Sequence, residues 1–399
     1  AISQVASAQD SAVPEPFRGF DNDSKYVITY DDLTSVLRTV VVDVGRSNRE
    51  VAAPTRARTG TMMKSKVKRT TANEANRFYF ESFVNNDEAS QLLNTIKTSL
   101  EILPEEVSLE FFSRDEQLAY WLNLYNVTML TELVKIFPKK NLKKILTGKK
   151  SILSQKLLTV AGVPLSLNDI KFTILKNNYD NNPLVIYGLY QGNIGGPNIR
   201  RRAYTGKDVW RALTNNAIEF INSNRGTYGS SKSNSVFQVS SMYKRSNSYF
   251  PDFNTDLSSH LKEYLEGEEL VMLANATKLK PDINDWTITS LAGNYREFGG
   301  SLADNKAALL DSAKSTVVNT NEGAGGATLA ASVGYGSQSI QAKTLTVNRI
   351  DPDLLSHLVE LNERRMQTNA INSSVTMEEL GENPDAAKAN TEGEKKDDN

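Results

Sequence analysis

The sequence predicts an α+β fold in which a buried central helix packs with further helices against a small, mostly antiparallel sheet. Three observations carry this expectation. Helix-like and strand-like segments follow one another without the regular βαβ alternation of a doubly wound sheet. The stretch from Ser113 to Pro138 is apolar around most of its circumference, which marks a helix buried on all sides. The strand-like runs are short and bounded by turn residues.

The central helix reads SRDEQLAYWLNLYNVTMLTELVKIFP. Ser113 and Glu116 have the spacing of a capping box, in which each side chain satisfies a backbone N–H at the helix start. Leu118, Leu122, Tyr125, Met129, Leu133 and Ile136 then recur every three or four residues. Trp121, Leu124, Val127 and Leu130 fill much of the other side, and Pro138 ends the run.

Around this helix a core domain is expected over 20–300, after an extended, polar and proline-containing arm at 1–19. Tyr30 to Val44 has helical spacing, although the run Val40-Val41-Val42 is equally compatible with a strand. A basic loop at 46–72 carries Arg46, Arg49, Arg56, Arg58, Lys64, Lys66, Lys68 and Arg69 against Glu50 alone. Without interleaved aromatic residues it reads as a solvated or partner-facing loop rather than a nucleic-acid surface. Phe78-Tyr79-Phe80 opens the main core, and Asp87 to Leu100 is an amphipathic helix. After the central helix come a lysine-rich connection, a hairpin turning at Ala161-Gly162, and a helix from Leu167 to Lys176 started by Ser166 and Asp169. Leu184 to Tyr190 is nearly continuous in apolar residues and is expected to be a buried strand. Further on, a helix runs from Thr205 and Asp208 to Asn222, a strand covers Val236 to Val239, and a short helix spans Leu257 to Leu265. Asp285 to Ile288 is a closing strand or turn. An extension at 301–370 combines a Gly/Ala/Ser-rich connector with a helix at 352–368. Its Leu354, Leu358 and Leu361 form a stripe that must dock on something. The tail at 371–399 has eight acidic and three basic residues and reads as disordered.

Composition narrows the chemistry. With 46 basic and 47 acidic residues the net charge is −1, so no global field draws the chain to nucleic acid or anionic lipid. There is no cysteine, which excludes disulfides, thiolate metal sites and a cysteine nucleophile together. The two histidines, His260 and His357, have no companions of catalytic or metal-binding type near them in sequence and are read as structural. No metal or cofactor is expected. No apolar run approaches the roughly 18 residues of a membrane-spanning helix. The opening AISQVASAQDSAVPEPF is read as a mature N-terminus left after signal-peptide removal, which places the protein in the periplasm or outside the cell.

Candidate sites are few. The glycine-rich loop at 191–197, QGNIGGP, invites an anion-cradle reading, but it lacks the spacing of GxGxxG and of a Walker loop. Arg200, Arg201 and Arg202 follow it, yet three consecutive residues cannot all face one ligand. Asn123 and Asn126 share a face of the central helix and are expected to be satisfied amides that tie it to a loop.

The runs RDEQLAYWLNLYNVTMLTELVKIFP, LLTVAGVPLSLNDIKFTIL and NPLVIYGLYQGNIGGPNIRRRAY, with VFQVSSMYKRSNSYFPDF and NDWTI later, resemble the family known as domain of unknown function 547. The likeness covers about residues 76–290, and AYWLNLYN is its most specific part. The resemblance implies an α+β domain, often exported, with no settled activity. It also implies a loop carrying two cysteines and a helix carrying a histidine, the basis for comparing the family with papain- or transglutaminase-like hydrolases. Laid on this chain, the cysteine positions fall on Gln191 and Gly196 and the histidine position on Phe172. Gly192, Pro197, Asn168 and Asp169 are retained, and Asn193 lies within the same loop. None of the replacing groups supplies a thiolate or a proton acceptor. The expectation is therefore a non-catalytic, exported binding or structural subunit of a larger protein assembly. Its partners would be other copies or other subunits, with the degenerate cleft formed by these residues. The alternatives are a hydrolase using carboxylates such as Asp115, Glu116 or Asp169 with Tyr204 around the same cleft, and a protein that binds envelope glycan.

Overall fold

The structure is a computed structural model and describes residues 13–49, 74–230 and 233–291, together with Arg349 and the helical residues Glu360, Glu363, Arg364 and Gln367. Most of the basic loop, the Gly/Ala/Ser connector, the acidic tail and Leu354, Leu358 and Leu361 lie outside the described residues. The fold is α+β.

The central helix, α3 (Arg114–Ile136), has Ser113 as its N-cap, which accepts from the Glu116 N–H at 3.3 Å. Glu116 does not complete the expected capping box. Its carboxylate turns instead to the Ile28 N–H and the backbone at Gly206. Leu118 through Leu130 is buried without interruption, as the two-sided apolar pattern requires.

Two earlier helices and a two-residue strand pair lie on one side. They are α1 (Asp31–Val40), β1 (Val41–Val42) paired with β2 (Arg77–Phe78), and α2 (Asp87–Glu106). The β-branched end of the first run thus finishes as a strand. Helix α2 lays Leu93, Ile96, Leu100 and Leu103 against α3, and the Tyr120 hydroxyl donates to the Leu100 carbonyl at 2.8 Å. The described end of the N-terminal arm is not free: Phe17 is buried edge-on against Trp121, with ring centroids 4.9 Å apart.

Beyond α3 come α4 (Lys143–Thr147) and the hairpin β3 (Lys156–Val160) and β4 (Val163–Ser166). Its turn places Ala161 and Gly162 at φ 45° and 72°, the backbone a tight two-residue hairpin demands. Ser166 and Asp169 form a complete capping box on α5 (Leu167–Asp169). The helix then widens into a π-helical segment, Ile170–Leu175, and ends as α6 (Lys176–Asn178).

The expected strand at 184–190 is a 3₁₀ helix, Pro183–Gly188. The Asn182-Pro183 pair is a helix start, with Asn182 accepting from the Leu184 N–H and proline at the first turn. A wholly apolar segment fits a strand or a buried helical turn equally well, and here the side-chain amides of α3 take the place of a neighbouring strand. Asn126 Nδ2 donates to the Gly188 carbonyl while its Oδ1 accepts from the Tyr190 N–H, both at 2.9 Å. One turn earlier Asn123 makes the same two-way clamp on Tyr204, at 2.8 and 2.9 Å. Gly188 must lack a side chain, because a Cβ would lie 2.6 Å from Leu213 and 2.8 Å from Leu122.

Helix α7 (Val209–Ile221) follows, then β5 (Thr227–Ser230), β6 (Ser233–Ser240), α8 (Ser241–Lys244), α9 (Phe253–Tyr264), α10 (Gly267–Asn275) and β7 (Lys278–Ile283). The sheet runs β5-β6-β7, antiparallel then parallel, with Thr227 opposite Val239 and Phe237 opposite Leu279. Arg349 returns to this body and forms a buried bidentate pair with Asp32, at 2.7 and 2.6 Å, while its Nε and Nη2 reach Ser99. A separate unit begins at Asp351; within it Arg364 pairs with Glu360 one turn away.

Asn126→Ala should cost about 2–4 kcal/mol in urea unfolding, since it strands one backbone carbonyl and one N–H inside the protein. Arg349→Met should cost ~3–5 kcal/mol by the same measurement, because Asp32 is left buried without its counter-charge. The Asp32→Asn, Arg349→Met pair should recover part of that loss.

Candidate functional site

The glycine-rich loop is stitched to the segment at 285–289. Ile194 and Gly195 donate their N–H groups to the carbonyls of Thr287 and Asp285, both at 2.9 Å. Thr289 returns a bond to the Gly192 carbonyl at 2.9 Å, and Asn193 bridges to Ile288. Asn193 Nδ2 also donates to the Asp285 carbonyl at 2.7 Å, and the Gly196 N–H closes a turn on the Asn193 carbonyl. The N–H groups of Ile194, Gly195 and Gly196 are therefore spent on backbone carbonyls and are not offered to a phosphate. Gly192 sits at φ 78° with Leu133 beneath it, where a Cβ would come within 2.2 Å. The Gly196 carbonyl, just before Pro197, accepts from fully buried Arg225, which also pairs with Glu219 and bonds the Glu74 carbonyl.

Gln191 is buried, and its Oε1 accepts from Arg245 Nη2 at 3.0 Å. The Arg245 guanidinium lies 4.6 Å from the Trp286 ring centroid, and its Nη1 donates to Ser241 Oγ at 2.8 Å. The next residue, Ser246, is bonded by Lys171 Nζ at 2.6 Å. Lys171 in turn lies over Phe172 at 4.8 Å, and the Phe172 ring is tilted against Tyr249 at 6.4 Å. Gln191 and Phe172, the two key positions of the resemblance, are thus joined through a single segment, residues 245–249. Lys171 and Phe172 both lie in the π-helical segment Ile170–Leu175.

Other expected members sit elsewhere. Asp169 is tied to Ser166 and Lys156, and this engagement outweighs its burial and holds its carboxyl below the usual range. Asn168 donates to Ser154 Oγ at 2.9 Å. Asp115 accepts from Trp210 Nε1 at 2.8 Å, and the Tyr204 hydroxyl bonds Asn216 at 3.1 Å. Glu116 is pushed up to about 7 by burial. It lies roughly 25 Å along the helix from Leu133, the residue beneath the loop, at 1.5 Å per residue. Asp115 and Glu116 do not share the Gln191 cleft. Asn123 and Asn126 are the backbone clamps described above.

His260 belongs to an aromatic cluster. Its Nε2 is 2.9 Å from the Tyr187 hydroxyl and its ring stacks on Tyr187, with Phe250 and Tyr264 alongside. Burial depresses it to about 4. Among the described residues no group of three or more His, Cys, Asp or Glu is placed to hold a metal, and no helix is long and apolar enough to cross a membrane.

Sequence reasoning missed Lys171, Arg245, Ser246 and Trp286. One signal was available for the first: Lys171 falls on the Leu167, Ile170, Ile174 stripe, where an apolar residue belongs. Arg245 gave no signal, since a lysine-arginine pair after a strand reads as a surface feature.

Residues 109–221 match the model of the family described as "Protein of unknown function, DUF547". No curated protein and no solved structure matches the chain.

His260 makes stability depend on acid. Its folded value lies below the ordinary 6.5, so the neutral ring is favoured in the fold. Stability is full above pH 6.5 and falls as the pH drops from there toward 4, by ~3 kcal/mol at the limit. Urea midpoints between pH 4 and 7 should show this slope, and His260→Phe should flatten it.

Proposed function

We propose that this chain, which belongs to the DUF547 family through residues 109–221, is a non-catalytic binding subunit of a larger protein assembly that works outside the cytoplasm. One observation supports this above the rest. The positions at which the resemblance places the thiol and imidazole hold Gln191 and Phe172, and Gln191 is fixed in place as an acceptor for Arg245. An amide held this way can orient a neighbour but cannot attack a carbonyl, and a phenyl ring cannot take a proton. The loop bearing Gln191 is buried and anchored by Arg225, Thr289 and Asp285, which suits a rigid scaffold. The late helix, with its Leu354, Leu358 and Leu361 stripe, supplies the segment for contact with another subunit.

Native mass spectrometry and light scattering of the full chain should give a mass above the 44.2 kDa of one copy. Leu358→Asp with Leu361→Asp should return it to a monomer without moving the melting temperature of the core. A chain that stays monomeric at every concentration, or that turns over ester, peptide or glycan substrates, would overturn the reading.

A further inference from the structure

The side-chain cluster that joins Gln191 to Phe172 contains an electrostatic imbalance. Lys171 is 4% exposed, and its Nζ is bonded to the neutral hydroxyl of Ser246. Arg245 is half-buried and is held by Gln191, Ser241 and the face of Trp286, all neutral. Among the described residues neither cation has a carboxylate within ion-pair distance. This breaks the pattern of the rest of the protein. Arg225 is paired with Glu219, Arg349 with Asp32, and Arg49 with Glu269. Burying a positive charge costs several kcal/mol unless a counter-charge offsets it, and placing a second one beside it adds repulsion.

We infer that Lys171 and Arg245 form a binding site for an oxyanion, the carboxylate or phosphate group of a ligand that approaches from the half-exposed Arg245. Two of the five guanidinium N–H groups are used by Ser241 and Gln191, which fix the plane of the fork and leave donors for a ligand. Stacking on Trp286 holds that plane without neutralising it. The Lys171 ammonium is held on Ser246, the residue next to Arg245 in the chain, and is close enough to feel the charge of the guanidinium.

The charge environment points the same way. Burial, and then Arg245, bring Lys171 down to about 7, and burial brings Arg245 to about 10. The groups that face Lys171 are Arg245, Ser246, the Phe172 ring and Tyr249, whose hydroxyl donates to the Lys171 carbonyl. The nearby Asp169 is engaged by Lys156 and Ser166. An anion would therefore bind together with a proton at Lys171, more tightly below neutrality. The anion site stands on this charge arrangement alone and holds whether or not the chain is an assembly subunit.

The test is isothermal titration of the full chain with acetate and with inorganic phosphate at constant ionic strength, with chloride as reference. At least one of the two should bind saturably at pH 6, and the stronger one identifies the ligand's anionic group. Acetate keeps its charge between pH 6 and 8, so where it binds its affinity should fall about tenfold across that range as Lys171 loses its proton. Arg245→Gln and Lys171→Met should each abolish binding. Should either variant fail to fold, Arg245→Lys, which keeps the charge but loses the fork, should weaken binding in a chain that still unfolds cooperatively. Binding no stronger than that of chloride, binding that survives the substitutions, or labelling of Ser246 by a fluorophosphonate would overturn the inference. A monomeric mass would count against the subunit reading while leaving this one intact.

Discussion

Two asparagine side chains on the fully buried stretch of α3 clamp two irregular segments of this domain to it. Asn123 and Asn126 cannot be hydrated, so each must spend its amide on a backbone that comes to it. The partners are Tyr204 for one, and Gly188 with Tyr190 for the other. Each amide offers a donor and an acceptor side by side, the same pair of groups that a strand edge presents. The helix thereby pins two irregular segments that would otherwise have no ladder to join. The glycine-rich loop begins one residue after Tyr190, so its position is fixed from beneath by α3 as well as by Leu133 under Gly192.

From the other side the loop is fixed by residues 285–289, which supply carbonyls and one N–H to it. The same short segment carries Trp286 toward Arg245. Backbone pairing thus does two things at once: it takes up the amides of Ile194 and Gly195 and delivers an aromatic face to Arg245. A loop so bound cannot close around a ligand. What the cleft can offer is side-chain charge, on Lys171 and Arg245, held in place by neutral partners.

The buried charges divide accordingly. Asp32 with Arg349 and Glu219 with Arg225 are closed pairs that tie distant parts of the chain together. The first is the means by which a residue far along the chain joins the same body as α1 and α2. The second anchors the carbonyl of Gly196. Neither has charge to spare for a ligand, whereas the Lys171 and Arg245 cluster does.

Periodicity and capping alone determined α2, α3 and the hairpin, because the signals for these helices, the Ala161-Gly162 turn and the Ser166–Asp169 box act over three or four residues, whereas α4 and α10 carried no such signal. The absence of cysteine likewise settled, without coordinates, that no thiol works here. Three things were left to the tertiary structure. The run at 184–190 became a 3₁₀ turn rather than a strand because its backbone partners are amides on α3, some sixty residues earlier. Glu116 left its capping box because Ile28 and Gly206 arrive beside it. The cluster of Gln191, Arg245, Lys171 and Trp286 draws on four separate segments, and no spacing rule connects them. Local order is written in short-range pattern, but the meeting of charges depends on chain closure over a hundred residues, which no window of sequence contains.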